Sequence, residues 1–347
     1  MDVSEELEKV KIMTKREAVI KALSHEYVFP VPYCLNMTDD VARRVTEATG
    51  DPDFAEHAGS YLVTEINESF VDLEDGRFKD MFGVVWDRGR QEGDFGIVSE
   101  YPLFDSPEFG DYEFPKPDEA LIREKCERLL AHEDLFKIYG IGFSLFERAW
   151  TLRSMENLLC DMILEPEFVD ELLDRIVEYN MAVVDIVSEY PIDAVLYGDD
   201  WGMQKGLIMG YPHWKRFIYP RIKKLYAQVR SKGMYIAQHS CGDCREVFPD
   251  LVEAGLQIYN TFQPEVYDIE YFKDRFGDSI TFYGGISTQR LLPYATPDEL
   301  EKEMKRIIGI LSKDGGYIIS STHAMPNDIP TDNVLRFVDV CRNQKKE

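Results

Sequence analysis

From Leu135 to the end of the chain, short apolar β-like runs alternate with amphipathic helical stretches, and this alternation limits the possible folds more than any other feature. Strand-like runs fall at Phe136–Gly140, Asp193–Tyr197, Met234–Gln238, Gln257–Asn260, Ile280–Tyr283 and Tyr317–Ser320. Between them the apolar residues follow a helical period. Over Glu165–Tyr190, the residues Phe168, Leu172, Ile176, Tyr179, Val183 and Val187 draw one stripe down a helix. The helix predicted over Phe248–Ala254 runs into Gly255, a residue suited to a left-handed C-terminal cap. Thr296-Pro297-Asp298-Glu299 supplies a capping Thr, a Pro at the first helical position and a Glu that reaches back to the cap. Its helix then presents Leu300, Met304, Ile307, Ile308 and Leu311 on one face. A similar box, Thr14 to Glu17, opens an N-terminal helix ending near Leu23, ahead of a strand expected around Tyr27–Val31.

Strand, helix and strand at this spacing require parallel strands joined by helical crossovers. The C-terminal two-thirds supplies the six strands named above, and the N-terminal third can supply two more. The pattern predicts an α/β fold: one (β/α)8 barrel of TIM type over residues 1–347, with an N-terminal helical extension. A doubly wound open sheet shares the alternation, but the Gly-rich phosphate turn of such sheets is missing from the strand ends. Residues 92–118, rich in Gly, Pro, Asp, Phe and Tyr, read as a long loop excursion. Its aromatics (Phe95, Tyr101, Phe104, Phe109, Tyr112, Phe114) need a surface to pack on.

Charge excludes several function classes. Lys and Arg number 39 against 64 Asp and Glu, for a net charge of −25. No basic cluster is present to neutralise phosphates, so nucleic acid and anionic membrane surfaces are poor partners. No stretch approaches the roughly 20 apolar residues of a membrane-spanning helix, and Met1–Lys11 lacks the apolar core of a signal peptide. Six cysteines in 347 residues are too few for a disulfide framework. A cytoplasmic location is expected, with Cys34, Cys126, Cys160 and Cys341 as core fillers.

In barrels of this kind the chemistry sits at the C-terminal ends of the strands. Those ends gather Asp199, Asp200 and Trp201; His239 and Cys241; Asn260 and Gln263; Ser287; and His323. One residue apart on extended chain, His239 and Cys241 point the same way. Imidazole plus thiolate suits zinc, and His323 would complete the open three-ligand set of a catalytic site. Without a metal, the two histidines would be hydrogen-bonded rim residues. Cys241-Gly242-Asp243-Cys244 is also a CxxC, but neither a second ligand pair nor a small βαβ domain accompanies it, so Cys244 is expected to face the following helix.

Adjacent Asp199 and Asp200 face different ways. One enters the site as proton partner, ligand or histidine holder, or else the pair is a helix cap with a solvated neighbour. Glu147, beside Arg148, is a further acid–base candidate. Asn260, Gln263 and Ser287 are expected to contact substrate, and Trp201 either lines the pocket or packs in the core. No persuasive Ser-His-Asp order, P-loop or HExxH motif appears.

At these residues the chain resembles the uroporphyrinogen decarboxylase superfamily. The opening Met13-Thr14-Lys15-Arg16-Glu17 through Ala22-Leu23 is similar to that family's first helix. His239-Ser240-Cys241-Gly242, Gly284-Gly285-Ile286-Ser287, and Gly315-Gly316-Tyr317 with Pro326 and Pro330 resemble its barrel half. The likeness is strongest from Asp193 to Asn333, and it implies a single barrel and a homodimer.

Two branches share that fold. The decarboxylases remove carboxyl groups from uroporphyrinogen without a cofactor, holding it with arginines and an aspartate near the first strand. The equivalent stretch here, Val31-Pro32-Tyr33-Cys34-Leu35-Asn36-Met37, has neither. The corrinoid-dependent methyltransferases bind zinc through a His-x-Cys and a later cysteine, at whose position His323 falls. The second branch therefore implies Zn²⁺ on His239, Cys241 and His323. It also implies a small methylated donor or acceptor (ether, amine or thiol) and a separate corrinoid protein that carries the cobalamin.

Overall fold

The computed structural model describes residues 13–73, 76–89 and 96–345. Strand β1 (Leu62–Ile66) is followed by four short strands, β2 (Phe70–Asp72), β3 (Arg77–Asp80), β4 (Val85–Asp87) and β5 (Ile97–Glu100). Six more come in the helical part: β6 (Phe136–Ile141), β7 (Ala194–Gly198), β8 (Tyr235–His239), β9 (Ile258–Phe262), β10 (Thr281–Ile286) and β11 (Tyr317–Ser321). The larger sheet has seven parallel strands in the order β1-β6-β7-β8-β9-β10-β11. It curls in the manner of a TIM barrel, with helices packed outside.

An eighth strand does not form among the described residues. Tyr27–Val31 carries no strand, because Pro30 and Pro32 flank Val31 and remove two ladder donors. Three residues later the chain touches β11: Cys34 N donates to Ile319 O, and Ile319 N to Pro32 O, both at 2.9 Å. Toward β1 the same segment makes two contacts, Tyr61 N to Tyr33 O at 2.9 Å and Leu35 N to Ser60 Oγ at 3.0 Å. The sheet is therefore curled but not completely closed.

The N-terminal helix, Lys15–Leu23, forms with the Thr14–Glu17 box in place. Its Val19 and Leu23 pack against Leu62, Phe136, Ala194, Ala237, Ile258 and Ile318, which plugs one end of the sheet's interior. Arg16 fixes the plug through an ion pair of 2.7 Å with the buried Asp193. The stripe of the long helix, Pro166–Val187, is buried at all six predicted positions. Thr296 and Glu299 cap the helix Pro297–Leu311, and Gly255 takes the left-handed conformation that ends Phe248–Ala254. Among the described residues, no helix is long and apolar enough to cross a membrane.

Between β1 and β6 the chain builds a second, antiparallel sheet, β2-β3-β4-β5, that periodicity does not reveal. Its strands have only three or four residues, too few to show an alternation. The excursion at 92–118 is thus partly strand, since β5 lies within it. Beyond β5, Phe109 packs on Phe168 with ring centres 5.1 Å apart, and the Tyr112 hydroxyl donates to Phe82 O at 2.9 Å. Phe95 and Met1–Lys11 lie outside the described residues.

Asp80 ties the small sheet to the helix Phe146–Arg153. It accepts from Phe82 N (2.9 Å), Val84 N (3.0 Å), Trp86 Nε1 (3.2 Å) and Arg148 Nη1 (2.6 Å). The Arg148–Asp80 pair is buried on both sides. Removing one partner of such a pair leaves an uncompensated buried charge. Asp80→Ala is expected to cost about 3–5 kcal/mol in urea unfolding; a loss below about 1 kcal/mol, the range of exposed pairs, would contradict this role.

Candidate metal centre

Strands β7 and β8 are neighbours, with Gly198 level with His239, so the loops that follow them start side by side. They are joined backbone to backbone. Asp199 N donates to His239 O at 3.0 Å and Asp243 N to Met203 O at 2.7 Å, while Trp201 N reaches Ser240 Oγ at 3.0 Å. A Cβ on Gly202 would lie 2.6 Å from both Asp243 N and Cys241 O. Gly242, at φ +77°, meets Gly202 from the other side. Only glycine fits at these two positions.

The two aspartates divide as their adjacency requires. Asp199 is buried and faces away from the cluster. It accepts from Leu145 N (3.2 Å), Phe146 N (3.1 Å), Glu147 N (2.8 Å) and Trp201 Nε1 (2.5 Å). It thereby caps the helix Phe146–Arg153, whose own N-cap residue Leu145 offers no side-chain bond. Burial pushes its carboxyl up to about 6, against the pull of these donors.

Asp200 faces the site. Its Oδ1 accepts Cys241 N at 2.7 Å and lies 3.7 Å from His239 Nε2. Cys241 Sγ is 3.5 Å from the same nitrogen. One ligand atom each from Asp200, His239 and Cys241 therefore gathers within 4.8 Å. Zinc bonds of about 2.0–2.3 Å in a tetrahedron imply ligand–ligand edges of roughly 3.3–3.7 Å, close to the two that meet at His239 Nε2, 3.7 and 3.5 Å. Thiolate, imidazole and carboxylate are also donors zinc accepts, and three of them leave a fourth place for substrate or water.

Asn260 sets the tautomer of His239. Its Nδ2 donates to Tyr283 O at 3.1 Å, which leaves Oδ1 to accept from His239 Nδ1 at 2.6 Å. The proton on Nδ1 turns the Nε2 lone pair toward Asp200 and Cys241. Burial first, then Asp200 and Glu147, pushes the Cys241 thiol well above its ordinary range. A divalent cation among these groups would offset that and hold the thiolate. Glu147 accepts the Asp200 backbone N–H. Burial, then the Asp200 and Asp199 charges, raises its carboxyl well above the usual range.

His323 lies outside this three-residue cluster, whose third member is Asp200. The two imidazole rings stand 6.1 Å apart at 73°. Thr322 is pinned by its backbone N–H to Ile286 O at 2.9 Å and by Thr288 N to its hydroxyl at 3.1 Å, and the next residue turns outward. There His323 lines an open rim cavity of 700 Å³ together with Cys241, Met203, Gln263 and Gln289.

The expected substrate contacts have mostly structural partners. Trp201 is fully buried against Trp214, with ring centres 5.6 Å apart. Ser287 donates to Glu265 and accepts Arg290 N at 2.9 Å, which holds its turn. Gln263 accepts Gly242 N at 2.7 Å and alone of the four faces the rim cavity. Cys244 is buried beside Ser240, as its place before a helix suggests. Sequence reasoning missed the contact of Gly202 with Gly242, whose signal was a glycine shortly after each of two neighbouring strands. If Asn260 orients His239, Asn260→Ala should weaken zinc binding about 10–100-fold in chelator competition, while His323→Ala leaves it unchanged. The reverse pattern would contradict the ligand set.

The model of the family "Uroporphyrinogen decarboxylase (URO-D)" matches residues 91–344. A uroporphyrinogen decarboxylase of Methylococcus capsulatus is 22% identical over 214 residues, 57% of this chain and 57% of its own length. That of Vesicomyosocius okutanii is 29% identical over 83 residues, 24% of this chain and 23% of its own. The matches thus span little more than half the length of these curated relatives at most. Among solved structures, a methyltransferase from Methanosarcina mazei superposes with a TM-score of 0.72 at 16% identity, covering 95% of this chain and 99% of that one. At that identity the likeness is one of fold. The family match covers most of the chain, and the protein belongs to the uroporphyrinogen decarboxylase (URO-D) family.

Proposed function

We propose that this chain is a zinc-dependent methyltransferase that moves a methyl group between a small methylated ether, amine or thiol and a separate corrinoid protein. The observation that carries this reading is the meeting of His239 Nε2, Cys241 Sγ and the Asp200 carboxylate at the strand ends. When bound there, zinc would supply a Lewis acid that draws charge from the heteroatom bearing the methyl group. The chain's own residues do the rest. Asn260 keeps His239 in the ligating tautomer, and Asp199 anchors the helix that presents Glu147. Glu147, whose carboxyl burial raises well above the usual range, is placed to give a proton to the heteroatom as the methyl group leaves. The cobalamin belongs to the partner, which approaches over the rim.

The second reading is a cofactor-free decarboxylase of a carboxylated tetrapyrrole or related ring. The family model and both named relatives favour it, and on the comparisons alone it is the better supported of the two. The residues argue the other way. Carboxylate-rich substrates need cationic partners. Val31–Met37 holds no arginine, Arg148 is already paired with Asp80, and Asp200 adds a carboxylate.

Two anaerobic assays separate the readings. With zinc-loaded protein and a panel of methyl ethers, methylamines and methyl thioethers, methylation of free cob(I)alamin should appear in the visible spectrum. It should fall at least about 100-fold in Cys241→Ser, which removes a ligand. Conversion of uroporphyrinogen by zinc-free protein, undiminished in Cys241→Ser, would overturn the methyl-transfer reading.

A further inference from the structure

Glu68 is an acid at the strand ends that the metal centre does not use. It follows β1 by two residues, on the face where barrels of this kind bind their ligands. Its Oε1 lies 2.9 Å from where a Cβ on Gly142 would stand, and Gly142 Cα lies 3.4 Å from the same point on Gly198. Gly198 is four residues along β7 from Ala194, which belongs to the apolar cluster inside the sheet, so it faces inward too. His239 is level with Gly198 on the next strand. Carboxyl and imidazole thus stand about two strand spacings apart, roughly 10 Å, and the residues between them on that row are glycines. Glu68, Gly142, Gly198, Asp200 and His239 are each half-buried and reached by solvent.

The charge of this carboxyl is unmet. Glu68 has no side-chain hydrogen bond or ion pair among the described residues. Lys125 and Arg148, the cations that act on it, are committed elsewhere: Lys125 donates to Ile66 O and Arg148 to Asp80, both at 2.6 Å. Burial raises the Glu68 carboxyl, the two cations oppose the rise and Asp80 adds to it. Beside Arg148 and Trp86 it also borders a space of 10 Å³, room for about one water and nothing larger. At the metal centre a thiolate and an aspartate balance a divalent cation, and the rim cavity next to Cys241 is lined by no Lys or Arg. A counterion for Glu68 therefore has to come from outside the chain.

We infer that Glu68 sets the substrate class: it takes a protonated amine at one end of a small molecule that lies over Gly142 and Gly198 and reaches the metal centre with its other end. An ammonium group gives the carboxylate a charge-assisted hydrogen bond, which a hydroxyl replaces only in part and a carboxylate opposes. The missing side chains leave the row between the two ends to the ligand. That the far end carries the methylated heteroatom rests on the methyl-transfer reading; the amine at Glu68 does not.

The probes are 3-(methylthio)propylamine, the matching alcohol and the matching carboxylate, titrated calorimetrically into the full chain with and without zinc. No corrinoid is present, so binding alone is read and a failure here leaves the methyl-transfer assays to stand or fall by themselves. The amine should bind one-to-one and at least about tenfold tighter than the alcohol, with the carboxylate weakest. Glu68→Gln, which keeps the shape and removes the charge, should bring amine and alcohol within about twofold of each other. The comparison of the three probes on the wild-type chain needs no variant to fold. Absence of amine binding, an alcohol or carboxylate that binds as tightly, a preference that survives Glu68→Gln, or one abolished by Asp200→Asn instead would overturn the inference.

Discussion

The site depends on one contact, the backbone-to-backbone meeting of Gly202 and Gly242. Loops after neighbouring parallel strands ordinarily diverge, because each turns outward to its own helix. Here two missing Cβ atoms let them touch, and Asp243 N to Met203 O locks them at 2.7 Å. That contact brings Asp200 from one loop against Cys241 of the other. A methyl group at either position would collide with the facing backbone and push the loops apart.

Around this contact the polar groups work in pairs with opposite duties. Asp199 is sequestered to cap a helix, which frees Asp200 for the site and fixes where Glu147 stands. Asn260 spends both ends of its amide on orientation, one on Tyr283 O and the other on His239. The result is a soft donor, an imidazole and a carboxylate crowded together with a further acid. That arrangement is electrostatically costly without a cation and is relieved by one. Asp80 does comparable work at a distance, since its pairing with Arg148 ties the small sheet to the helix that carries Glu147.

Much of this was legible in the chain because it rests on local rules. The stripe of Pro166–Val187, the caps at Thr14 and Thr296 and the left-handed Gly255 depend on residues a few positions apart. His239 and Cys241 were found for the same reason, as neighbours on extended chain at a strand end. What escaped depends on contacts across long separations. Only the fold shows that Asp199 caps a helix 53 residues earlier, so its adjacency to Asp200 left two roles open. His323 aligned by sequence with a ligand position, but its loop is turned by Thr322 and Thr288. The absent eighth strand had a local sign in Pro30 and Pro32, and the antiparallel sheet had none, its strands being too short to carry a period.

The central claim is a metal held by one sulfur and by nitrogen and oxygen, with Asp200 in place of His323. X-ray absorption at the zinc edge of the zinc-loaded protein tests it directly. The account predicts a single sulfur neighbour near 2.3 Å with the remainder nitrogen or oxygen near 2.0–2.1 Å. The spectrum should be unchanged in His323→Ala and should lose the sulfur shell in Cys241→Ser. A spectrum without sulfur, or one altered by His323→Ala and indifferent to Asp200→Ala, would contradict it.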